Sequence, residues 1–170
     1  MNTSVSVVIP AHNAARFIGQ ALESVFQQRE AAANLDLDVI VVDNASTDAT
    51  CDCVQRDFGS KVRLLHEPKP GAACARNTGI AAATSPLIAF LDADDLWLPG
   101  KLAAQSAALT AHPDVSLVFC HGAEFSDPPA AFSCNLESRP FLHPSGLLAR
   151  REVFDVAGTL PEFRCGEFIA

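Results

Sequence analysis

The sequence has few basic residues for its length. Lys and Arg number 12 against 20 Asp and Glu, so the 170-residue chain carries a formal net charge of −8. Nucleic-acid binding requires clustered Lys and Arg to neutralise phosphates, so this balance argues against a nucleic-acid-binding protein. The same negative charge opposes any phosphorylated ligand, and a bound metal ion would relieve that repulsion.

Long apolar runs, basic leader sequences and Cys-x-x-Cys pairs are also absent. No stretch approaches the roughly 18 apolar residues of a membrane span. The N-terminus enters the apolar run 5–10 without the basic segment of a signal peptide. We therefore expect a cytoplasmic protein with no transmembrane segment. Its six cysteines are expected to be reduced: Cys51, Cys53, Cys74, Cys120, Cys134 and Cys165.

The chain does contain enough apolar sequence for a folded core. Hydrophobic residues make up 49% of it and charged residues 19%, which excludes a disordered chain. A domain commonly has about 100–200 residues. We therefore expect a single domain over residues 1–170.

Short apolar runs alternate with helical periodicity over the first 120 residues. The pattern predicts strands at 5–9, 37–42, 62–65, 87–91 and 115–120, and helices at 14–28, 46–58, 71–83 and 99–111. This alternation is typical of an α/β fold with a doubly wound, mostly parallel sheet. Prolines interrupt the pattern after residue 121, where only a short helix at 147–157 is predicted.

Polar residues follow three of the predicted strands. Segment 10–13 (Pro-Ala-His-Asn) follows the first, segment 43–46 (Asp-Asn-Ala-Ser) the second, and segment 92–95 (Asp-Ala-Asp-Asp) the fourth. In an open parallel sheet, ligands bind beyond the carboxyl ends of the strands. We expect the functional site at that edge.

The acidic segment 92–95 is the strongest chemical signal. Its three carboxylates repel one another unless something positive joins them. Carboxylate oxygens suit Mg²⁺ or Mn²⁺, which often bridges protein acids to substrate phosphates. Two alternatives stay open here, a solvated acidic turn and a carboxylate pair for glycoside hydrolysis.

Other polar residues allow both a functional and a structural interpretation. Asn44 carries a donor and an acceptor that can read the imide edge of uracil or thymine. Asp43 can hold a ribose hydroxyl or the base, although both residue types also favour turns. Arg76 can approach phosphates or simply lie on the surface.

Isolated histidines and a late glutamate are equally ambiguous. His12 and His143 are each interpreted more readily as structural residues than as ligands. Glu167, in an apolar setting, can act as a base if burial raises its pKa. Alone, it is equally an ordinary exposed acid.

Taken in order, five stretches resemble the motifs of the family 2 glycosyltransferases. They are 5–13 (opening strand), 41–48 (nucleotide motif), 71–80 (the segment before the metal motif), 90–97 (an extended Asp-x-Asp motif) and 145–158 (a downstream stretch). The resemblance covers nearly the whole chain, and the ordered set is far more specific than any single motif.

The resemblance implies a GT-A fold, a Rossmann-type sandwich, and inverting sugar transfer from a nucleotide-diphospho-sugar, here a UDP- or dTDP-sugar, with Mg²⁺ or Mn²⁺. By this resemblance Asp94 and Asp95 hold the metal, and Glu167 is the catalytic base. The donor would be bound by Pro10, Ala11, Asn13, Asp43, Asn44, Arg76, Asp92 and Asp94.

The sequence departs from the family pattern in two motifs and in length. Phe168 stands where an Asp is common, so Glu167 would act alone. Asn44 stands where Asp is frequent, which leaves the choice of base open. Family members usually continue beyond this point. We therefore expect residues 1–120 to be the donor-binding half and 121–170 the start of a truncated acceptor half.

The acceptor is not specified by the sequence. A saccharide, a lipid or a peptide all fit, and contact with the inner face of a membrane stays open. The alternative from another class is a non-catalytic sugar-nucleotide-binding module. A nucleotidyltransferase would need a Gly-rich loop after the first strand, and residues 11–15 contain no Gly. A phosphoacceptor receiver domain would need acids there, and none is present.

Overall fold

The computed structural model describes residues 3–32, 34–123, 139–140 and 142–161. The strands are β1 (Thr3–Ala11), β2 (Leu35–Asp43), β3 (Arg63–His66), β4 (Leu87–Phe90), β5 (Leu117–Phe119), β6 (His121–Gly122), β7 (Arg139–Pro140) and β8 (Leu147–Arg150). The α-helices are α1 (Ile18–Phe26), α2 (Gln28–Ala31), α3 (Thr50–Asp57), α4 (Ala72–Ala82), α5 (Lys101–Ala111) and α6 (Glu152–Ala157).

Within the described ranges, six strands form one mixed sheet in the order β3–β2–β1–β4–β8–β5. β1 pairs in parallel with β2 and β4, and β2 pairs in parallel with β3. β8 is antiparallel to both β4 and β5. The predicted α/β class with a mostly parallel sheet is confirmed.

The sheet is covered on both faces, which explains why its strands are continuous apolar runs. Val5, Val7 and Ile9 of β1 pack into the core with α1, α3 and α5. Val8 points to the opposite face and packs in the cluster that includes Ala75 of α4. No helix within the described ranges has the length and apolar character needed to span a bilayer.

The prediction of a helix at 147–157 is wrong over its first four residues. Residues 147–150 form β8, and only Glu152–Ala157 is helical. Leu148 and Ala149 are fully buried between β4 and β5. A short apolar run gives no periodicity that separates strand from helix, so the pairing partners decided the conformation. The predicted helix at 14–28 also ends early, at Phe26.

Candidate donor-binding site

A cavity of about 270 Å³ opens where β1, β2 and β4 end. Ala11 at the end of β1 is paired with Asp43 at the end of β2, so both strand ends lie side by side. The cavity brings together residues that the sequence placed on separate motifs. Its lining consists of Pro10, Ala11, His12, Asn13, Ala14, Phe17, Asn44, Ala72, Arg76, Asp92, Ala93 and Asp94.

The loop after β1 is held by the loop after β2. His12 Nδ1 lies 2.7 Å from the Asn44 carbonyl. The Asn13 side-chain oxygen accepts from the Thr47 amide over 2.8 Å, and the Asn13 amide donates to Ser46 Oγ. Asn13 has φ +49°, a conformation that Asn tolerates better than most residues. Asn13 thus lines the cavity with a side chain that also fixes the loop.

Asn44 supports a different loop, residues 67–71. Its amide donates to the carbonyls of Glu67 and Lys69 over 2.9 and 2.7 Å. Its side-chain oxygen accepts from the Gly71 amide over 2.7 Å. Both N–H donors are therefore used inside the protein. Asn44 therefore has no free side-chain N–H with which to read a base edge.

Asp43 is buried beside this loop and only partly paired. Its Oδ2 lies 3.4 Å from His66 Nδ1. Its Oδ1 is buried with no hydrogen-bond partner among the described residues. A buried acceptor left without a donor costs free energy. Asp43 is therefore a group that a bound ligand would satisfy.

Arg76 joins α4 to the acidic segment that follows β4. This buried side chain donates from Nη2 to Asp92 Oδ1 over 2.6 Å. Its Nε–H is buried and has no partner in the described part of the chain. The guanidinium is thus held by Asp92 with one N–H unpaired, and Arg76 lines the cavity. The alternative of an ordinary surface Arg is wrong.

The three acids of segment 92–95 have different surroundings. Asp92 is held by Arg76 on one oxygen and lies 3.5 Å from His143 on the other. Asp94 is exposed at the cavity, and its carboxylate makes no hydrogen bond or ion pair with any described residue. Asp95 is turned away and accepts from Ser145 Oγ over 2.5 Å. Burial raises the pKa of Asp95.

Sequence reasoning missed the role of the 3₁₀ turn Pro144–Gly146. Ser145 Oγ donates to Asp95 and accepts from the Asp92 amide over 3.0 Å. The Ser145 carbonyl accepts from Trp97 Nε1 over 2.8 Å. His143 lies 3.7 Å from Asp95 Oδ2. The turn is about fifty residues from the acids in sequence, so only the Ser-Gly pair within the downstream motif marked it.

Among the described residues, His143 joins Asp92 and Asp95 in a cluster whose ligand atoms all lie within 4.8 Å of one another. Oxygen and imidazole ligands together suit Mn²⁺ and related divalent ions. Asp94 offers a further free carboxylate at the cavity side. These donors fit the metal that the acidic segment predicted.

A second cavity, of about 250 Å³, lies on the other side of Arg76. Its wall is mainly apolar and consists of Ala73, Arg76, Phe90, Phe119, Leu142, Pro144, Leu147, Phe154, Leu160 and Pro161. Asn77 holds Leu160 at this cavity, because its side chain bonds both the amide and the carbonyl of Leu160. Glu167, the predicted catalytic base, lies outside the described residues.

Comparison with known proteins identifies the family. The model of glycosyl transferase family 2 matches residues 6–157. The Escherichia coli UDP-Glc:alpha-D-GlcNAc-diphosphoundecaprenol beta-1,3-glucosyltransferase WfgD is 38% identical over 102 residues, which cover 59% of this chain and 39% of WfgD.

Solved structures agree with the fold. The mannosyltransferase PcManGT of Pyrobaculum calidifontis, in complex with GDP-Man and Mn²⁺, matches with a TM-score of 0.75 and 29% identity over 95% of this chain and 48% of that one. S. aureus TarS 1–349 with UDP-GlcNAc matches with a TM-score of 0.73 and 22% identity, over 98% of this chain and 51% of that one. The sheet is thus of the GT-A type, and the chain spans about half or less of these proteins. The chain belongs to glycosyl transferase family 2.

Proposed function

We propose that this domain binds a nucleotide-diphospho-sugar with a divalent cation and transfers the sugar to an acceptor hydroxyl with inversion. The observation that carries the proposal is the pairing of opposite charges on one cavity wall. The guanidinium of Arg76 lies in that wall, and Asp94 offers a free carboxylate. A diphosphate bridged to protein acids by a cation needs both kinds of group.

Asp43 supports recognition of the nucleoside. Its buried Oδ1 has no donor among the described residues, and a base N–H or a ribose hydroxyl could supply one. Uracil and thymine each offer a single ring N–H at their imide edge, whereas the Watson–Crick edge of cytosine or adenine offers no ring N–H. Guanine also has such a group, so GDP-sugars, the donor class bound by PcManGT, are the rival to UDP- and dTDP-sugars.

The acidic segment supports binding of Mg²⁺ or Mn²⁺. Asp95 would hold the cation beside Asp92 and His143, Asp94 would reach it from the cavity side, and Asp92 would also keep its ion pair with Arg76. When bound, the cation neutralises the diphosphate so that it can leave. Arg76 contributes a fixed positive charge to the same cavity and requires no reorganisation, because Asp92 already holds its guanidinium.

Activation of the acceptor is assigned to Glu167. We propose that Glu167 removes the proton of the acceptor hydroxyl, which then attacks the anomeric carbon on the face opposite the diphosphate. WfgD is named for transfer from UDP-Glc to a diphosphoundecaprenol-linked sugar, which favours a saccharide acceptor on a lipid. Glu167→Gln should abolish transfer and leave donor binding intact.

Thermal unfolding tests the donor site directly. UDP, dTDP and GDP are each added with Mn²⁺ or with EDTA. A ligand that binds only the folded state stabilises it, by about 2.7 kcal/mol at 100 times its Kd. We expect one nucleotide to raise Tm, and only with Mn²⁺. Asp94→Asn should lose this rise, whereas Asp114→Asn, an exposed acid between α5 and β5, should keep it.

Absence of any nucleotide effect on a folded sample would overturn the donor proposal. A nucleotide effect without sugar transfer to any acceptor would instead identify a sugar-nucleotide-binding module. A rise that persists in EDTA would remove the cation from the proposal while leaving the nucleotide site in place.

A further inference from the structure

Asp43, Cys51 and His66 come together from three separate elements. Asp43 ends β2, Cys51 lies in the first turn of α3, and His66 ends β3. Their ligand atoms all lie within 4.8 Å of one another. β1 separates this cluster from β4 and its acidic segment in the strand order. Because the three residues are not close in sequence, no Cys or His spacing marked the cluster.

The three side chains are a ligand set for a thiophilic cation. Thiolate, imidazole and carboxylate are the groups that hold Zn²⁺ in tetrahedral sites. Two tetrahedral ligands with bonds of about 2.0–2.1 Å lie about 3.3 Å apart. Asp43 Oδ2 and His66 Nδ1 are 3.4 Å apart. This pair is therefore already spaced for one ion, and the Cys51 sulfur lies within 4.8 Å of the ligand atoms of both.

The Asp43 carboxylate, whose Oδ2 faces His66, has a second oxygen that could receive a cation. The Asp43 side chain is only 8% exposed, and this oxygen has no described hydrogen-bond partner. Cys51 lies within the negative field of Asp43, Asp52 and Asp48. A divalent cation would neutralise this field and supply the missing contact to the carboxylate.

We propose that Asp43, Cys51 and His66 form a site for Zn²⁺ or a similar thiophilic divalent cation, distinct from the acidic segment after β4. A further consequence rests on the proposed function. If Asp43 receives the N–H of the nucleobase, a cation on Asp43 competes with the nucleotide. Zn²⁺ would then inhibit donor binding at a position remote from the diphosphate.

Cobalt titration of the full chain, stripped of metal and fully reduced, tests the site. Co²⁺ bound to a thiolate gives an ultraviolet charge-transfer band that carboxylate sites do not give. We expect about one equivalent of Co²⁺ to develop the band and Zn²⁺ to displace it. Cys51→Ser should abolish the band. Cys53→Ser, two residues along the same helix, should keep it. His66→Gln should weaken binding by at least about tenfold, since even the partners of metal ligands contribute about 10–100-fold.

A band that persists in Cys51→Ser, or no band in a folded wild-type chain, would overturn the metal site. Circular dichroism of each variant confirms folding. The competition is measured separately, as the Kd of UDP with saturating Mn²⁺ and rising Zn²⁺. We expect Zn²⁺ to raise this Kd in the wild type but not in Cys51→Ser. UDP binding with no cobalt band would refute the metal site and leave the proposed function standing. A cobalt band with no binding of UDP, dTDP or GDP would refute the proposed function and leave the metal site standing.

Discussion

Arg76 and Asp92 form a buried ion pair that ties α4 to the acidic segment after β4. Arg76 Nη2 lies 2.6 Å from Asp92 Oδ1, and the side chains of Arg76 and Asp92 are 7% and 20% exposed. Because both charges are largely removed from water, each depends on the other for compensation. The pair also fixes the wall shared by the two cavities. It is therefore both a structural contact and a constraint on the site.

Removing one partner of this pair should be more harmful than removing both. Arg76→Met leaves the Asp92 carboxylate with only His143 as a basic neighbour among the described residues. Loss of one partner of a buried pair typically costs about 3–5 kcal/mol. The double variant Arg76→Met/Asp92→Leu should regain much of that loss. Urea unfolding of the two single variants and the double variant measures the coupling. Additive effects would contradict a mutually dependent pair.

Ser145 should matter more to stability than its size suggests. Its hydroxyl donates to Asp95 and accepts from the Asp92 amide, so Ser145→Ala leaves two partly buried groups unpaired. We expect a loss of about 1–3 kcal/mol in the free energy of unfolding. Ser106→Ala is the matched control, because the Ser106 hydroxyl is buried with no partner among the described residues. That change should be neutral or stabilising, and equal losses would refute the assignment.

The sheet could be predicted from sequence, because covered parallel strands are continuous apolar runs with polar ends. Segments 5–9 and 37–42 lie inside β1 and β2. A cavity lies at the carboxyl edge, where topology alone predicts the site. β8 could not be predicted, because its identity as a strand depends on β4 and β5 as neighbours. A local pattern does not contain that information.

Individual roles within the site were harder to predict than its position. The sequence allows Asn44 to read a base or to stabilise a turn, and its amide holds the 67–71 loop. Its residue type permits both uses, and only the location of the loop decides between them. The role of Ser145 could not be predicted for a related reason, since its partners Asp92 and Asp95 are distant in sequence. The assignment of Glu167 as the base stays a prediction.

Two helical glycines should respond to alanine in opposite directions. A Cβ on Gly79 of α4 would overlap the Val8 side chain, whereas one on Gly19 of α1 meets nothing within 4 Å. Gly79→Ala should therefore lower the free energy of unfolding by about 1–3 kcal/mol, through overpacking. Gly19→Ala should raise it by up to about 1 kcal/mol, because Ala favours the helix. Urea unfolding measures both, and equal tolerance would contradict the close approach of α4 to β1.

The pH dependence of stability should reveal the environment of Asp95. Burial raises its pKa above the ordinary 3.8. Between 3.8 and the raised value the native state binds more protons than the unfolded state, so this residue lowers stability as pH rises through that window. Asp95→Asn removes that loss while keeping an acceptor for Ser145. The free energy of unfolding of Asp95→Asn, relative to wild type in EDTA, should therefore increase with pH.

Asp48 provides a control of opposite sign for Asp95. The hydrogen bond from the Thr50 hydroxyl lowers the pKa of Asp48, so its contribution is present above pH 3.8 and lost as pH falls through the lowered value. Asp48→Asn should therefore lose stability relative to wild type as pH rises.

Added Mn²⁺ should stabilise the wild type at neutral pH, because the cation replaces the proton on Asp95. The difference in the free energy of unfolding between Asp95→Asn and wild type should then change less with pH. Parallel pH profiles for both variants would show that burial of Asp95 has no energetic consequence.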